Sequence, residues 1–376
     1  MTHIHSVTDY NKILIIRLSS IGDIILTTPL IRALRKRFPE AVIDFVVKEQ
    51  FLDLVRTNPH LSSVIVFDHT KGFTELRRIK RLIRREQYDI ILDIHRNFRS
   101  FYLRTFSGAG TATHYHKYYL RRLLLVWFGI NTFRTIEPVY KRYFYAALPF
   151  GIVPDDEGTE LYVPDLITDR VRHVLEKSSF RSAGGRPAFG GKEQPLVVLC
   201  PGAGFATKRW FPDGFAKVGD YFIQRYGAFV CIAGSNQDEA VCREVQRLMY
   251  GYSEQCAGMF TLLESAALLK QASLVVTNDT GLMHIAESQK RPLVALFGST
   301  SRELGYYPFS ENSFVIEKDI LCRPCTHNGR DTCPKKHFDC MMTITPEEVI
   351  EAAEQLFISE KNHSGADYGT TVVSGI

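Results

Sequence analysis

Hydrophobic residues in this chain come in short unbroken runs separated by amphipathic stretches, and the two alternate over most of its length. In the first half, apolar runs at residues 12–18, 42–47, 64–67 and 90–94 read as strands, with a helical stretch reaching Phe38 and a basic helix near 73–85 between them. Leu26, Leu30, Leu34 and Phe38 recur every four residues while Arg32, Arg35, Lys36 and Arg37 lie mainly off that stripe, as an amphipathic helix requires. Pro29 either kinks this helix or marks its true first turn. Periodicity vanishes at 178–194, where Ser, Gly, Arg and Pro dominate, and that stretch reads as a linker. The alternation resumes with strands at 196–200, 229–233, 272–277 and 292–297, and with helices near 213–225, after Asn236 and over 262–270. A last helix over 346–358 follows Thr345, an N-cap with Glu348 three residues on.

Strand and helix in alternation mean βαβ units and parallel sheets. The pattern predicts an α/β protein of two Rossmann-like domains, residues 1–177 and 195–345, joined by the linker 178–194. A C-terminal helix at 346–360 and a disordered tail at 361–376 complete the expected organisation. With 376 residues and 45% apolar content, the chain can build two full cores. Its longest apolar runs, such as 123–130, fall short of the roughly 18–20 residues a membrane span needs, and residues 1–11 lack a signal-peptide core. A cytoplasmic location is therefore expected.

Charge changes the picture in one place. Residues 71–142 carry 16 Lys or Arg against 5 acidic residues, +11 within a chain whose total is +5, so the remainder is acidic. Aromatic residues including Phe98, Phe101, Tyr119, Trp127 and Phe128 are interleaved with these cations, a mixture suited to an anionic surface with apolar parts. Solvated helix faces would give the same composition. Among sharper readings, an anionic glycolipid or membrane surface fits the motifs below better than nucleic acid does.

Three constellations carry candidate chemistry. Asn278-Asp279-Thr280-Gly281-Leu282-Met283-His284 lies between two predicted strands, so it reads as a strand end, a polar turn and a helix start whose backbone N–H groups face a ligand crevice. An anion, such as a diphosphate, suits that place. Pro201-Gly202-Ala203-Gly204-Phe205-Ala206-Thr207-Lys208-Arg209-Trp210 directly follows the strand at 196–200. Its glycines let backbone amides approach phosphate oxygens, and Lys208 and Arg209 can neutralise negative charge. Thr207 stands where a dinucleotide fingerprint needs its third glycine, and P-loop spacing is missing. Leu18-Ser19-Ser20-Ile21-Gly22-Asp23 follows the first strand; Asp23 is either a helix-start carboxylate or a general base for a hydroxyl whose pKa is far above 7. A fourth stretch, Ala233-Gly234-Ser235-Asn236-Gln237-Asp238-Glu239, offers Glu239, with Asp238 next, as a ribose ligand; a surface helix start explains both almost as well.

Together these motifs, with Leu296-Phe297-Gly298-Ser299-Thr300 after the last strand, resemble glycosyltransferase family 9, the lipopolysaccharide heptosyltransferases. The resemblance implies a GT-B fold, two Rossmann-like domains whose parallel sheets face a central cleft, with acceptor held mainly by the first and nucleotide-sugar donor by the second. It implies that Asp23 is the general base and that Lys208 helps hold the donor diphosphate. Donor contacts would come from Gly202, Ala203, Gly204, Thr207, Lys208, Arg209, Glu239, Asp279, Thr280, Gly281 and His284, and weaker acceptor contacts from Ser20, Gly22, Arg121 and Arg122. The implied reaction is an inverting, metal-independent transfer of heptose from ADP-heptose to the inner core of lipopolysaccharide, at the cytoplasmic surface of the inner membrane, without nucleic acid. Other readings are an epimerase or another nucleotide-sugar enzyme on the same fold, or a non-catalytic nucleotide-binding protein at a membrane surface.

Four of eight cysteines fall late, as Cys322-x2-Cys325-x7-Cys333-x6-Cys340. The first pair has zinc spacing and the second is wider, which leaves a structural zinc or a metal-free loop open.

Overall fold

Runs of Ile, Leu and Val that can be buried on both faces form the centres of two all-parallel sheets. The computed structural model describes residues 10–182 and 194–364, and the chain divides into two units, Met1–Lys117 with Val139–Tyr162, and Tyr118–Pro138 with Val163–Ile376.

In the first unit the strands are β1 (Lys12–Ile16), β2 (Val42–Lys48), β3 (Ser63–Phe67), β4 (Ile90–Asp93) and β5 (Thr111–His114), in the order β3-β2-β1-β4-β5. The predicted first helix is broken into α1 (Ile21–Ile25) and α2 (Thr28–Arg37), and Pro29 sits in the first turn of α2, where its missing N–H costs nothing. Leu30 and Leu34 of that helix are fully buried as the stripe requires. Arg32, which the pattern placed mainly off the stripe, is buried as well, because Asp155 and Glu160 meet its guanidinium at 2.7 Å each and Gly158 accepts from it at 2.9 Å. Removing it takes the buried partner from two carboxylates, of which Asp155 keeps Lys36 at 2.9 Å, so Arg32→Ala should cost about 3 kcal/mol in urea unfolding. The basic helix is α3 (Gly72–Glu86), followed by α4 (Phe98–Arg104).

The second unit contributes α5 (Tyr119–Phe128) from the excursion at 118–138, while α6 (Val139–Phe144) returns to the first. Helix α7 (Asp165–Ser182) opens the main part of the second unit. The division therefore differs from the sequence-based one at residues 118–138 and 163–177, and helix α7 reaches into the expected linker, of which 183–193 lie outside the described residues. Then come β6 (Leu196–Cys200), α8 (Pro212–Tyr226), β7 (Phe229–Ile232), α9 (Glu239–Leu248), β8 (Ser253–Gln255), α10 (Leu262–Lys270), β9 (Leu274–Asn278), α11 (Gly281–Ser288), β10 (Leu293–Phe297), β11 (Ser313–Glu317), α12 (Asp339–Met342) and α13 (Pro346–Ser364). The sheet order is β11-β10-β9-β6-β7-β8. Thr345 and Glu348 make the expected reciprocal cap: the Glu348 N–H donates to Thr345 Oγ1 at 3.3 Å and the Thr345 N–H to Glu348 Oε2 at 2.9 Å. Val349, Ala353 and Phe357 of α13 join the core of this sheet. The predicted tail from 365 onward lies outside the described residues.

Both sheets reverse strand order beside their first strand, between β1 and β4 and between β6 and β9. Loops leaving the carboxyl ends of such neighbouring strands form the binding crevice of a doubly wound sheet.

Candidate functional site

Asp23 lies in α1, just past the carboxyl end of β1 at the first switch point. One oxygen accepts from Tyr143 Oη at 2.9 Å; the other accepts from Ser20 Oγ at 2.9 Å and meets Arg17 Nη2 at 2.5 Å. Burial alone would raise this carboxyl, yet Arg17, Ser20 and Tyr143 outweigh it and hold Asp23 well below the usual carboxylate range. Arg17 is itself fixed, donating to the Ile94 carbonyl at 2.5 Å, with its guanidinium 5.3 Å from the Tyr143 ring. Ser20, expected near the acceptor, is thus occupied in orienting Asp23, and Gly22 is buried inside α1. His95, after β4 on the other side of the switch point, is pushed down to about 3 by burial, with help from Arg17 and Lys117, and is neutral at physiological pH. Sequence reasoning passed over Arg17, Tyr143 and His95. An arginine directly after the apolar run at 13–16 was the available signal for the first; nothing local marked Tyr143.

In the second unit the structure brings two of the predicted motifs together. Loops after β6 and β9 flank the second switch point, and Lys208 Nζ meets Asp279 Oδ2 at 2.7 Å with both side chains largely buried. Thr300 Oγ1, from the loop after β10, donates to the same oxygen at 2.7 Å. Asn278 ties the arrangement down: its Oδ1 accepts from the Trp210 N–H at 3.1 Å and its Nδ2 donates to the Pro201 carbonyl at 2.8 Å. Thr280 is the N-cap of α11 and its side chain does not cap the helix, so the first amides, beginning with Gly281, remain for a ligand.

The other expected donor residues also have partners within the protein. Arg209 donates from its guanidinium to the Ala203 carbonyl, at 2.9 and 2.7 Å, which shapes the loop and leaves its positive charge in place. Thr207 is buried, accepting from Ser299 Oγ at 3.0 Å and the Arg330 N–H at 2.8 Å. Glu239 is paired with Arg243 on the surface of α9 at 2.5 Å, and Asp238 accepts from the Ser235 N–H and hydroxyl at 2.9 and 2.6 Å. His284 is buried one turn into α11, 3.8 Å from Glu287. Arg121 and Arg122 belong with the second unit, apart from the unit that carries Asp23.

Gly202 is required by Asp238: a Cβ there would lie 2.2 Å from the Asp238 Cγ. Gly202→Ala should therefore displace the loop, costing about 1–3 kcal/mol of stability and weakening nucleotide affinity in a titration.

The four late cysteines are free thiols; Cys322 Sγ lies 3.8 Å from His337 Nε2. Among the described residues no group of three or more His, Cys, Asp or Glu side chains is arranged to hold a metal, Cys322, Cys325, Cys333 and Cys340 included. Among the same residues no helix is long and apolar enough to cross a membrane.

Two Rossmann-like units, each with loops gathered at the switch point of a parallel sheet, give the chain a fold of the GT-B type. The family model for glycosyltransferase family 9 (heptosyltransferase) matches residues 76–337. Lipooligosaccharide heptosyltransferase 2 of Haemophilus influenzae is 29% identical over 92% of this chain and 99% of its own length. Among solved structures, a family 9 glycosyltransferase from Veillonella parvula is 25% identical, with a TM-score of 0.75 over 93% of this chain and 98% of its own. ADP-heptose lps heptosyltransferase II of E. coli, at 23% identity, has a TM-score of 0.72 over 93% and 99%. The chain belongs to glycosyltransferase family 9. Asp23 lies outside the stretch matched by the family model.

Proposed function

We propose that this glycosyltransferase moves a heptose from ADP-heptose to the inner core of lipopolysaccharide, by one inverting displacement that needs no metal ion. The observation that carries the reading is the buried Lys208–Asp279 pair beside the uncapped start of α11. A cation and free helix amides stabilise a departing diphosphate more as its charge grows, which is the differential binding that speeds transfer. Asp23 takes the acceptor proton. The donor and acceptor are those named for the heptosyltransferase relatives, and the acceptor places the enzyme at the cytoplasmic face of the inner membrane.

Thermal unfolding against ADP, ADP-heptose, UDP, GDP and NAD tests the donor. A nucleotide at about 100 times its Kd adds roughly 2.7 kcal/mol. For a domain of ~150–250 residues that raises Tm by about 2–4 °C. Selective stabilisation by ADP and ADP-heptose is expected. A response to UDP-sugars alone would replace the donor, and one to NAD alone would remove the transferase reading.

A further inference from the structure

Helix α5 exposes both ends of its apolar face to solvent, with Leu123 and Leu124 between them half-buried. Positions 119, 120, 123, 124, 127 and 128 repeat at helical spacing and are Tyr, Leu, Leu, Leu, Trp and Phe. Tyr119 and Leu120 are 72% exposed, Trp127 73% and Phe128 64%, while the one buried residue of the helix, Leu125, lies on the opposite side with Arg121 and Arg122 flanking it. A helix that served only the fold would turn this face inward. Gly129, in the left-handed conformation, ends the helix by donating to the Leu124 and Leu125 carbonyls, and Ile130 beyond it is exposed too.

We propose that α5 is an interfacial anchor for an anionic lipid bilayer, lying in the headgroup region with Tyr119, Leu120, Trp127 and Phe128 inserted and Arg121 and Arg122 on phospholipid phosphates. This deepens the lipopolysaccharide reading and rests on it for its biological purpose, since an acceptor held in a membrane must be reached there. At ten residues, about 15 Å of helix, α5 lies on a bilayer and cannot span one. Trp and Tyr favour the boundary of headgroups and acyl chains, and arginine stems extend their charge back to it. Charge selects lipid over a second copy of the chain. The excursion at 118–138 carries Arg121, Arg122 and Arg134 against Glu137, within the +11 stretch. A two-fold contact would bring this net +2 segment against an identical one, whereas anionic lipid complements it.

The chain has two tryptophans, and Trp210 is buried with its indole N–H donated to the Ile344 carbonyl, so a change in emission on adding vesicles reports Trp127. With vesicles of phosphatidylethanolamine and phosphatidylglycerol the full chain should co-sediment and its emission shift to the blue, and with phosphatidylcholine alone it should do neither. Trp127→Ser combined with Phe128→Ser should weaken sedimentation about tenfold or more. Its thermal unfolding and its transfer to a delipidated, soluble acceptor should stay as in the wild type. Wild-type protein left in the supernatant with unshifted emission would overturn the proposal. So would a double variant that binds vesicles normally, or a wild-type dimer that the variant dissolves without any vesicle binding. The two readings fail separately, because vesicle binding is measured without donor or acceptor and soluble transfer without vesicles.

Discussion

Asp23→Asn is expected to lower kcat for glycosyl transfer by about 10³-fold while ADP affinity stays within twofold, roughly the span of general-base catalysis. Asparagine keeps the shape of the side chain, but one of its two terminal atoms becomes a donor and the ion pair with Arg17 is lost, so kcat is compared at a temperature where thermal unfolding shows the variant folded. What it removes is the only acid–base function in the Ser19–Asp23 turn. The depressed pKa of Asp23 sharpens the expectation. The carboxylate is ionised wherever the protein is folded, so the acid fall of kcat/KM should not appear near pH 4 on its account. A carboxylate so firmly paired is also a reluctant proton acceptor, and part of that pairing must loosen when the acceptor hydroxyl arrives. Tyr143→Phe deletes one donor to Asp23 and so raises its pKa from well below the usual carboxylate range, toward that of a readier proton acceptor. Full turnover in Asp23→Asn would take Asp23 out of the mechanism.

Lys208→Ala should weaken ADP binding about 10²-fold in a calorimetric titration, the scale of losing one partner from a buried charge pair at a binding site. Lys208 neutralises Asp279 and stands at the start of α11. Without it, the Asp279 carboxylate keeps the hydrogen bond from Thr300 and presents uncompensated negative charge where the diphosphate belongs. Lys208→Ala also lowers kcat, because leaving-group charge is largest in the transition state. The second variant, Lys208→Ala with Asp279→Ala, should recover part of the affinity by removing the repulsion. Normal ADP affinity in Lys208→Ala would contradict the diphosphate role.

Central strands were legible in the sequence because burial on both faces writes continuous apolar runs, as in β1, β6, β9 and β10. The three strands that escaped, β5, β8 and β11, all lie at sheet edges, and their residues, Thr111–His114, Ser253–Gln255 and Ser313–Glu317, are too short or too polar to carry that signature. The same logic governs the site. Asp279, Thr280 and Gly281 were readable because they sit directly after a strand, and Lys208 because it lies in the Gly-rich loop that follows one, where short-range pattern and crevice coincide. Tyr143 escaped because it reaches Asp23 from 120 residues away in sequence. Arg209 and Glu239 were given ligand roles from their places after strand ends, and no short-range pattern marked the Ala203 carbonyl and Arg243 that engage them in the folded chain.

The most direct test incubates the purified full-length enzyme with ADP-heptose and a heptose-deficient lipopolysaccharide core, and follows both products by mass spectrometry. The account predicts an acceptor heavier by one heptose and a matching release of ADP, each dependent on the other substrate. Conversion of ADP-heptose without any change in the acceptor, or no consumption of it at all, would contradict the account.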